Sequence, residues 1–382
     1  MFGDSVDYNH LGLSLAEGRG YVDTEGNPTA CRSPLYPIFI GCIYWLFGHS
    51  LFAVRLFQVV LGVISCYVLF LVGRRIFNPQ VGLIGAFLFA WNPYLIYYTG
   101  AILQETLFIF VVLITFYFLS RINDEYKFIL LAGIFGGLSI LTREVFLIYV
   151  PFLFIGSLIL IEGSIWVKFR KIAILFICLL IIWGPWLIRN YFIYGKLTTR
   201  RSTDTFGEGS NLWVCLWHGN NPYIGVSFEK ECWFFSKGAH EELSKIPFEE
   251  RNAYARKKAL ETIFSNPLQT LRIQIIKFGR FWRPYPHQTK LLGEITGGLS
   301  SKTKIIGLVS DGWIIPLGLV GFLLALPLWK RHLFHSLWIW GMCLCNIFPM
   351  IRFRLPVMPI VMLFTGYTIF LGYKFLFSKK IK

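Results

Sequence analysis

Long apolar runs separated by short polar segments make up most of this chain. Roughly 17 to 25 apolar residues cross a bilayer as a helix, so the longer runs predict membrane-spanning helices. The predicted spans are 50–73, 80–98, 101–120, 128–142, 144–162, 171–189, 305–328, 332–350 and 355–377. The fourth is short and rich in glycine. The pattern therefore predicts an all-α polytopic membrane protein with about nine transmembrane helices.

Two weaker apolar patterns precede the first span. Between Ser5 and Glu17 apolar residues recur loosely at helical spacing, and Gly18 and Gly20 follow as a stop. The apolar stretch 34–47 is too short to span comfortably. We predict two helices on the membrane surface, and divide the chain into an outer catalytic loop (1–49), transmembrane helices (50–189), an external segment (190–304) and C-terminal transmembrane helices (305–382).

Charge supports this organisation and indicates a topology. The 37 Lys and Arg residues outnumber the 21 Asp and Glu residues, but they are scattered between apolar runs, which argues against a nucleic-acid partner. The loops on one side of the predicted membrane carry most of them. By the positive-inside rule this side is the cytoplasm, so residues 1–49 and 190–304 face outward. We expect a multi-pass protein of the plasma (inner) membrane with its site facing outside.

The chain starts with polar residues that lie on the predicted outer side, with no apolar segment ahead of them. Either the first span translocates this short tail, or the protein begins further upstream with another helix. We favour the second interpretation. It predicts weak or absent activity for the chain as given, and recovery of activity when an upstream-extended reading frame is expressed.

Several fragments together carry a resemblance to a known family. The acidic start GDSVDYNHLGLSLAEGRGY is followed by PTACRSPLYPIF, GRRIF, NPYLIYYTGAILQETLF, GIFGGLSILTRE, RNYFIYG, NLWVCLWHGNNP and RFRLPVMP. In this order they resemble bacterial PMT-like glycosyltransferases of the GT-C class, which are relatives of protein O-mannosyltransferases. The family's first transmembrane helix is not visible ahead of the acidic loop.

The resemblance implies a transferase that moves a sugar from a polyprenyl-phosphate carrier to a glycan, lipid or protein acceptor at the outer membrane face. A lipid phosphate, with a second pKa of about 6, leaves at neutral pH without a general acid, so one carboxylate base is sufficient. A single displacement inverts the anomeric centre. Ser5 stands where the family often has a second acidic residue, which counts against a metal-binding or assisting role for this position. A divalent cation stays open as a cofactor, and no metal ligand is assigned.

Asp4 occupies the position of the family's outer-loop aspartate and is our candidate general base, with Asp7 as a further catalytic candidate. The structural alternative is that Asp4 caps the surface helix and that Asp7, in its first turn, is stabilised by the helix dipole. Glu105, near the outer end of the third span, is expected to bind the sugar or support Asp4. A carboxylate there should face a cavity or a partner, unless it lies exposed at the interface.

Arginines on the outer side are unexpected by the positive-inside rule. Guanidinium groups near span ends suit a lipid phosphate, because they donate charge-assisted, bidentate hydrogen bonds. We assign Arg143, Arg352 and Arg354 to the donor phosphate, together with Arg32, which the resemblance places before a proline in the first loop. The alternative for each is snorkelling to lipid headgroups.

Sugar or acceptor contacts are assigned to Tyr8, Tyr98, His218 and Asn220. A transporter or flippase of lipid-linked sugars is the competing class, since it would share the spans, the arginines and the carboxylate. It would not require so large an external segment, and the paired repeats of many transporters are not evident. A nucleotide-sugar enzyme is disfavoured because no Gly-rich turn follows a predicted strand.

Overall fold

The computed structural model describes residues 4–199, 212–220, 237–247, 250–285, 301–344 and 351–378. Most residues in these ranges are helical, and the only β pairing among them is an isolated bridge between Val22 and Pro28. The predicted all-α class is confirmed. The helices are α1 Asp4–Ala16, α2 Leu35–Phe47, α3 Leu51–Ile76, α4 Pro79–Trp91, α5 Pro93–Gly100, α6 Glu105–Leu119, α7 Tyr126–Thr142, α8 Val150–Leu160, α9 Ile165–Tyr194, α10 Leu212–Gly219, α11 Lys237–Ser244, α12 Arg251–Ser265, α13 Pro267–Phe281, α14 Ser301–Leu324, α15 Trp329–Leu344, α16 Ile351–Arg354 and α17 Met358–Ser378.

Within the described ranges, four helices are long and apolar enough to cross a membrane: α3, α9, α14 and α17. The bent pair α4 and α5 adds a fifth if it is one span. Shorter apolar helices are α2, α6, α7 and the stretch Glu144–Leu160, which begins as a 3-10 helix before α8. The multi-pass prediction is confirmed, whereas the count of nine spans stays a prediction.

The predicted span 80–98 is not one straight helix, because α4 and α5 meet there at an angle of 56°. The break lies at Asn92, whose side-chain oxygen accepts hydrogen bonds from the backbone N–H groups of Tyr94 and Leu95, both at 3.1 Å. Pro93 follows and has no N–H with which to continue α4. The third predicted span is also shorter than expected, since α6 begins only at Glu105.

Residues 1–49 contain two short helices, α1 and α2, where the sequence predicted helices, and their place on the outer side stays a prediction. The turn after α1 contains Gly18 and Gly20, at φ +74° and +86°, backbone conformations that glycine adopts without strain. The two helices approach closely, because a Cβ at Gly12 would lie 2.3 Å from Cγ2 of Ile40. The position of this helix pair on a membrane surface stays a prediction.

The C-terminal part of α9 holds the loop that follows α1. Arg189 donates to the carbonyl oxygens of Thr29 at 2.8 Å and Tyr21 at 3.1 Å. Its guanidinium group also lies over the rings of Tyr21 and Trp186, at 5.4 and 4.7 Å. The Tyr21 hydroxyl in turn donates to the carbonyl oxygen of Arg32 at 2.8 Å. Arg189 thereby fixes the backbone of the loop that carries Arg32.

A buried ion pair joins the C-terminal helices to the rest of the bundle. Arg354 is 0% exposed and Asp311 1% exposed, and the guanidinium group of Arg354 contacts the Asp311 carboxylate directly. Asn92 donates to the other oxygen of Asp311 at 2.8 Å. Arg354 also donates to the carbonyl oxygens of Phe281, at 3.0 Å, and Arg283. The pair thus connects the start of α5, α14, α16 and the end of α13.

The helices that precede α14 form a small core of their own. It contains Val214 and Trp217 from α10, Leu243 from α11, and Ala255 and Ala259 from α12. The last residue of α13, Phe281, belongs to the main core of the bundle, where it is 1% exposed. The predicted external segment is therefore attached to the spanning helices through the end of α13.

Glycines allow the closest helix contacts in the bundle. A Cβ at Gly321 in α14 would lie 1.9 Å from the carbonyl oxygen of Phe364 in α17. Similarly, a Cβ at Gly133 in α7 would lie 2.4 Å from the carbonyl oxygen of Leu175 in α9. Small residues let backbones approach where lipid provides no hydrophobic driving force between helices.

The substitution Gly321→Ala should destabilise the protein by about 1 to 3 kcal/mol, because the added methyl group overlaps the α17 backbone. The matched control is Gly372→Ala in α17, where no atom lies within 4 Å of the new Cβ. It should be neutral or stabilising, because alanine favours helix. Thermal unfolding in detergent measures both. Equal melting temperatures for the two variants would contradict the close contact between Gly321 and the backbone of α17.

Candidate functional site

Charged side chains from five parts of the chain meet in one group. They come from α1, from the loop before α2, from the start of α6 and the end of α7, and from α16. We name this group the charged cluster; it comprises Asp4, Asp7, Arg32, Glu105, Arg143 and Arg352.

Asp4 opens the described part of α1, and both oxygens of its carboxylate accept from arginines. Nη2 of Arg32 donates to Oδ1 at 2.7 Å, and Nη1 of Arg352 donates to Oδ2 at 2.6 Å. The Asp4 side chain is 30% exposed, so it keeps some access to solvent. These contacts go beyond those of a helix cap and connect α1 with α16.

Arg32 pairs with both aspartates of α1. Besides Asp4, it donates to Oδ2 of Asp7 through Nη2 at 2.6 Å and Nε at 3.1 Å, and it lies 5.5 Å from the ring centre of Tyr8. Burial by itself would lower the pKa of Arg32, but the charges of Asp4 and Asp7 outweigh it and raise that pKa above its ordinary value. Arg32 therefore remains a cation.

Glu105 is the most deeply buried member of the cluster, with 0% exposure, so the exposed alternative considered from the sequence is wrong. Its Oε1 accepts from Nε of Arg352 and from Nη1 of Arg143 at 3.5 Å. As the first residue of α6 it also lies where the helix dipole stabilises a carboxylate. Among the described residues no group donates to Oε2, which leaves that oxygen available.

Arg352 is the link between the two acidic parts of the cluster. One edge of its guanidinium group contacts Asp4 and another contacts Glu105. This use of two donor directions requires the planar, multidentate geometry of arginine.

Arg143 is 8% exposed and is enclosed by protein, its guanidinium carbon lying 4.9 Å from the ring centre of Phe353 and 5.9 Å from that of Phe108. Snorkelling to lipid headgroups is therefore wrong for Arg143. It is also wrong for Arg354, which is fully buried.

Both predicted tyrosines lie beside the cluster. Tyr8 is 1% exposed and packs edge-on against Tyr36 at 4.9 Å. Burial raises the pKa of its hydroxyl well above the ordinary value, so Tyr8 stays neutral. Tyr98 lines a small cavity that it shares with Glu105 and the polar side chains of Thr99, Thr106 and Ser65.

Two assigned residues, Arg354 and Asn220, are not brought to the cluster. Arg354, two residues after Arg352, turns to Asp311, because its position in α16 directs it into the core. Asn220 is 2% exposed, and its amide donates to the carbonyl oxygen of Leu216 at 3.1 Å and accepts from Gln274 at 2.8 Å. These contacts give Asn220 a packing role. The side chain of His218 lies outside the described residues.

The cluster does not fit a divalent cation. Across the described ranges, no group of three or more His, Cys, Asp or Glu side chains is placed to hold a metal ion. The acidic side chains that converge are already paired with arginines. A metal ion at the same carboxylates would be repelled by these guanidinium groups. No metal ligand is therefore assigned.

Sequence reasoning missed two residues that support the site. Arg189 stands in the quoted fragment RNYFIYG and fixes the Arg32 loop. Asp311 lies inside a predicted span, and an acidic residue in an apolar run is a signal of a buried partner. The sequence contained this signal, but we had assigned Arg354, the partner of Asp311, to the donor phosphate.

Comparison with known proteins places this geometry in context. Residues 31–188 match the family model described as Dolichyl-phosphate-mannose-protein mannosyltransferase. None of the curated protein sequences matches the chain.

Solved structures share the fold. An archaeal oligosaccharyltransferase, AglB from Archaeoglobus fulgidus, in complex with an inhibitory peptide and a dolichol-phosphate, superposes with a TM-score of 0.59 at 12% identity. The same enzyme with zinc and sulfate gives 0.58 at 13% identity. These matches cover 99% and 98% of this chain but only 47% and 45% of the enzyme, so the chain spans about half its length.

ArnT from Cupriavidus metallidurans bound to undecaprenyl phosphate is less similar, with a TM-score of 0.44 at 15% identity over 96% of this chain and 73% of that one. The fold assignment rests on AglB alone. The chain is therefore similar to the dolichyl-phosphate-mannose-protein mannosyltransferase family over residues 31–188, and it shares its fold with the oligosaccharyltransferase AglB.

Proposed function

We propose that this protein transfers a hexose or pentose from a polyprenyl-phosphate-linked donor to a glycan, lipid or protein acceptor at the outer face of the plasma membrane. The observation that carries the proposal is the charged cluster, in which Asp4 and Glu105 are linked through Arg352. The family description and the dolichol-phosphate and peptide in the AglB complex support a lipid-phosphate donor and an acceptor.

Asp4 acts as the general base. Its carboxylate takes the proton of the acceptor's hydroxyl or amide as the acceptor atom bonds to the anomeric carbon of the donor. The bond from that carbon to the phosphate oxygen breaks, and its electron pair leaves with the lipid phosphate. Because attack and departure occur on opposite faces, the anomeric configuration inverts. The 30% exposure of Asp4 supports this role, since an acceptor can approach it.

Arg32, Arg143 and Arg352 bind the donor phosphate. All three guanidinium groups are paired with carboxylates when no donor is present. An arriving phosphate offers stronger acceptor oxygens in a bidentate geometry. As Arg32 and Arg352 turn toward it, Asp4 loses part of its pairing and becomes a better proton acceptor. Donor binding thus prepares the base.

Glu105 holds Arg352 and Arg143 from the buried side and positions them for the phosphate. Glu105 and Tyr98 line the same small cavity. Oε2 of Glu105, to which no described group donates, accepts a hydroxyl of the donor sugar. Tyr8, beside Arg32, limits the space next to Asp4. Asp7 competes with the phosphate for Arg32 and so tunes the affinity for the donor.

The variant Asp4→Asn should lower the rate of sugar transfer by roughly 10² to 10⁴-fold, because the amide cannot accept the acceptor's proton. The measurement is transfer of radiolabelled sugar from polyprenyl-phosphate lipids to membrane-extract acceptors in vesicles, together with lipid binding. The matched control is Glu17→Gln, which removes an exposed carboxylate that forms a salt bridge with Arg19. This variant should leave transfer unchanged, because exposed salt bridges contribute little.

Unchanged transfer by Asp4→Asn would return Asp4 to a structural role at the start of α1. A second outcome would point to a transporter. In that case neither the unaltered protein nor its variants transfer sugar, and lipid-linked sugar crosses the vesicle membrane.

The pair Arg352→Lys and Arg354→Lys separates binding from packing. Lysine at 352 cannot donate in the directions of Asp4, Glu105 and a phosphate together, so at least one charge-assisted hydrogen bond, worth roughly 1.5 to 3 kcal/mol, is lost. The KM for the lipid donor should rise at least about tenfold, since 1.4 kcal/mol is a factor of ten.

Lysine at 354 should instead lower the melting temperature, because the Asp311 carboxylate and two backbone carbonyls lose a buried donor. Donor titrations and thermal unfolding of both purified variants make this comparison. A larger KM effect at position 354 than at position 352 would count against the assignment of Arg352 to the phosphate.

A further inference from the structure

The helices α12 and α13 carry a row of large apolar side chains that stay between 43% and 81% exposed among the residues the structure describes. Four of them lie on α13, spaced three, four and three residues apart and therefore on one side of that helix, and the fifth lies near the end of α12. We name this row the external apolar stripe; it comprises Phe264, Leu268, Leu271, Ile275 and Phe278.

The small core formed by α10 to α12 does not account for this stripe. The opposite side of α13 faces that core: Ile273 is buried, Lys277 donates to the carbonyl oxygen of Gly219 at 2.6 Å, and Gln274 donates to Asn220. The helix already packs through that side. The external apolar stripe is therefore a second, separate apolar surface of α13.

The C-terminal end of α13 is fixed at the end of the spanning helices. The carbonyl oxygens of Phe281 and Arg283 accept from Arg354, and the hydroxyl of Tyr94 donates to the carbonyl oxygen of Pro284 at 3.2 Å. Phe278 precedes Phe281 by three residues, or roughly 4.5 Å of helix. The stripe thus starts beside the bundle, on the side where α16 carries Arg352 of the charged cluster.

Charge around the stripe favours an anionic surface. Residues 250–285 contain eight Lys and Arg residues and only two acidic residues, Glu250 and Glu261, and of the eight basic residues Lys277 is buried on the opposite side of α13. Arg272 is exposed next to Leu271. A helix with one apolar side and an excess of basic residues is typical of the boundary between lipid headgroups and acyl chains.

We propose that the external apolar stripe lies in the bilayer interface, in the leaflet on the side of the charged cluster, and binds anionic lipid there. The anchor at Arg354 and Tyr94 holds one end of α13 at the level where the spanning helices end. The row of apolar side chains then enters the headgroup region, and the basic residues contact lipid phosphates. The small external core is thereby held against the membrane beside the site. This inference does not depend on the proposed transferase activity.

Photo-crosslinking of the full chain tests the inference. p-Benzoylphenylalanine is introduced at Leu271, and in a second variant at Ile275, and each protein is reconstituted into vesicles of phosphatidylethanolamine and phosphatidylglycerol. The matched control position is Gln269, which is exposed on the same helix but points away from the stripe. After irradiation, mass spectrometry of the peptides identifies the adducts, and thermal unfolding checks that each variant is folded.

Lipid adducts at 271 and 275 should exceed those at 269 at least fivefold, and phosphatidylglycerol should be enriched among them over its share of the vesicle. Adducts between two copies of the chain would assign the stripe to an oligomer interface and overturn the proposal. Equal adducts at all three positions would overturn it, because the stripe would then not be the side of α13 that faces lipid. No adducts at 271 and 275 would overturn it as well, because the stripe would then face water.

Discussion

Charges buried in a membrane protein must be paired, and Arg352 is the residue at which this constraint joins the molecule together. Its guanidinium group satisfies Asp4 on α1 and Glu105 on α6, which lie far apart in the chain. Removing Arg352 would leave Asp4 with Arg32 and Glu105 with only the 3.5 Å contact to Arg143, and a poorly paired buried charge is costly. The requirement to pair them therefore holds the first loop, the start of α6 and α16 in one arrangement.

Two further arginines hold the segments of this arrangement in place. Arg189 fixes the backbone of the loop that carries Arg32, and Arg354 ties α16 to Asp311 and to the end of α13. Each uses backbone carbonyl oxygens as well as side chains, so each orients a segment and not only a single group. The charged cluster thus lies between two anchors. Under the proposed function, a phosphate competes for guanidinium groups whose positions are already set, which reduces the reorganisation that binding requires.

Much of the candidate site was predictable from residue types in unusual places. Glu105 in an apolar run and Arg143 and Arg352 near outer span ends conflict with lipid exposure, so the sequence indicated that they have partners. The fate of Arg354 was not predictable, because Arg352 and Arg354 occur in the same fragment and only the geometry of α16 separates them. Asn220 likewise looked like a loop residue open to a ligand, whereas its amide joins α10 to α13. The bend at Asn92 had a signal in the following proline, but the apolar run concealed it.

The sequence by itself determined that this is a helical, membrane-embedded protein, because apolar length and charge distribution are properties of consecutive residues. It also identified the acidic start and the outer arginines as candidate chemistry. Only the tertiary structure decided which carboxylate pairs with which arginine, since these contacts join residues such as Asp4 and Arg352 from the two ends of the chain. The same holds for the external apolar stripe. Its spacing is written in the sequence, but whether it packs inside or stays exposed depends on where the neighbouring helices lie.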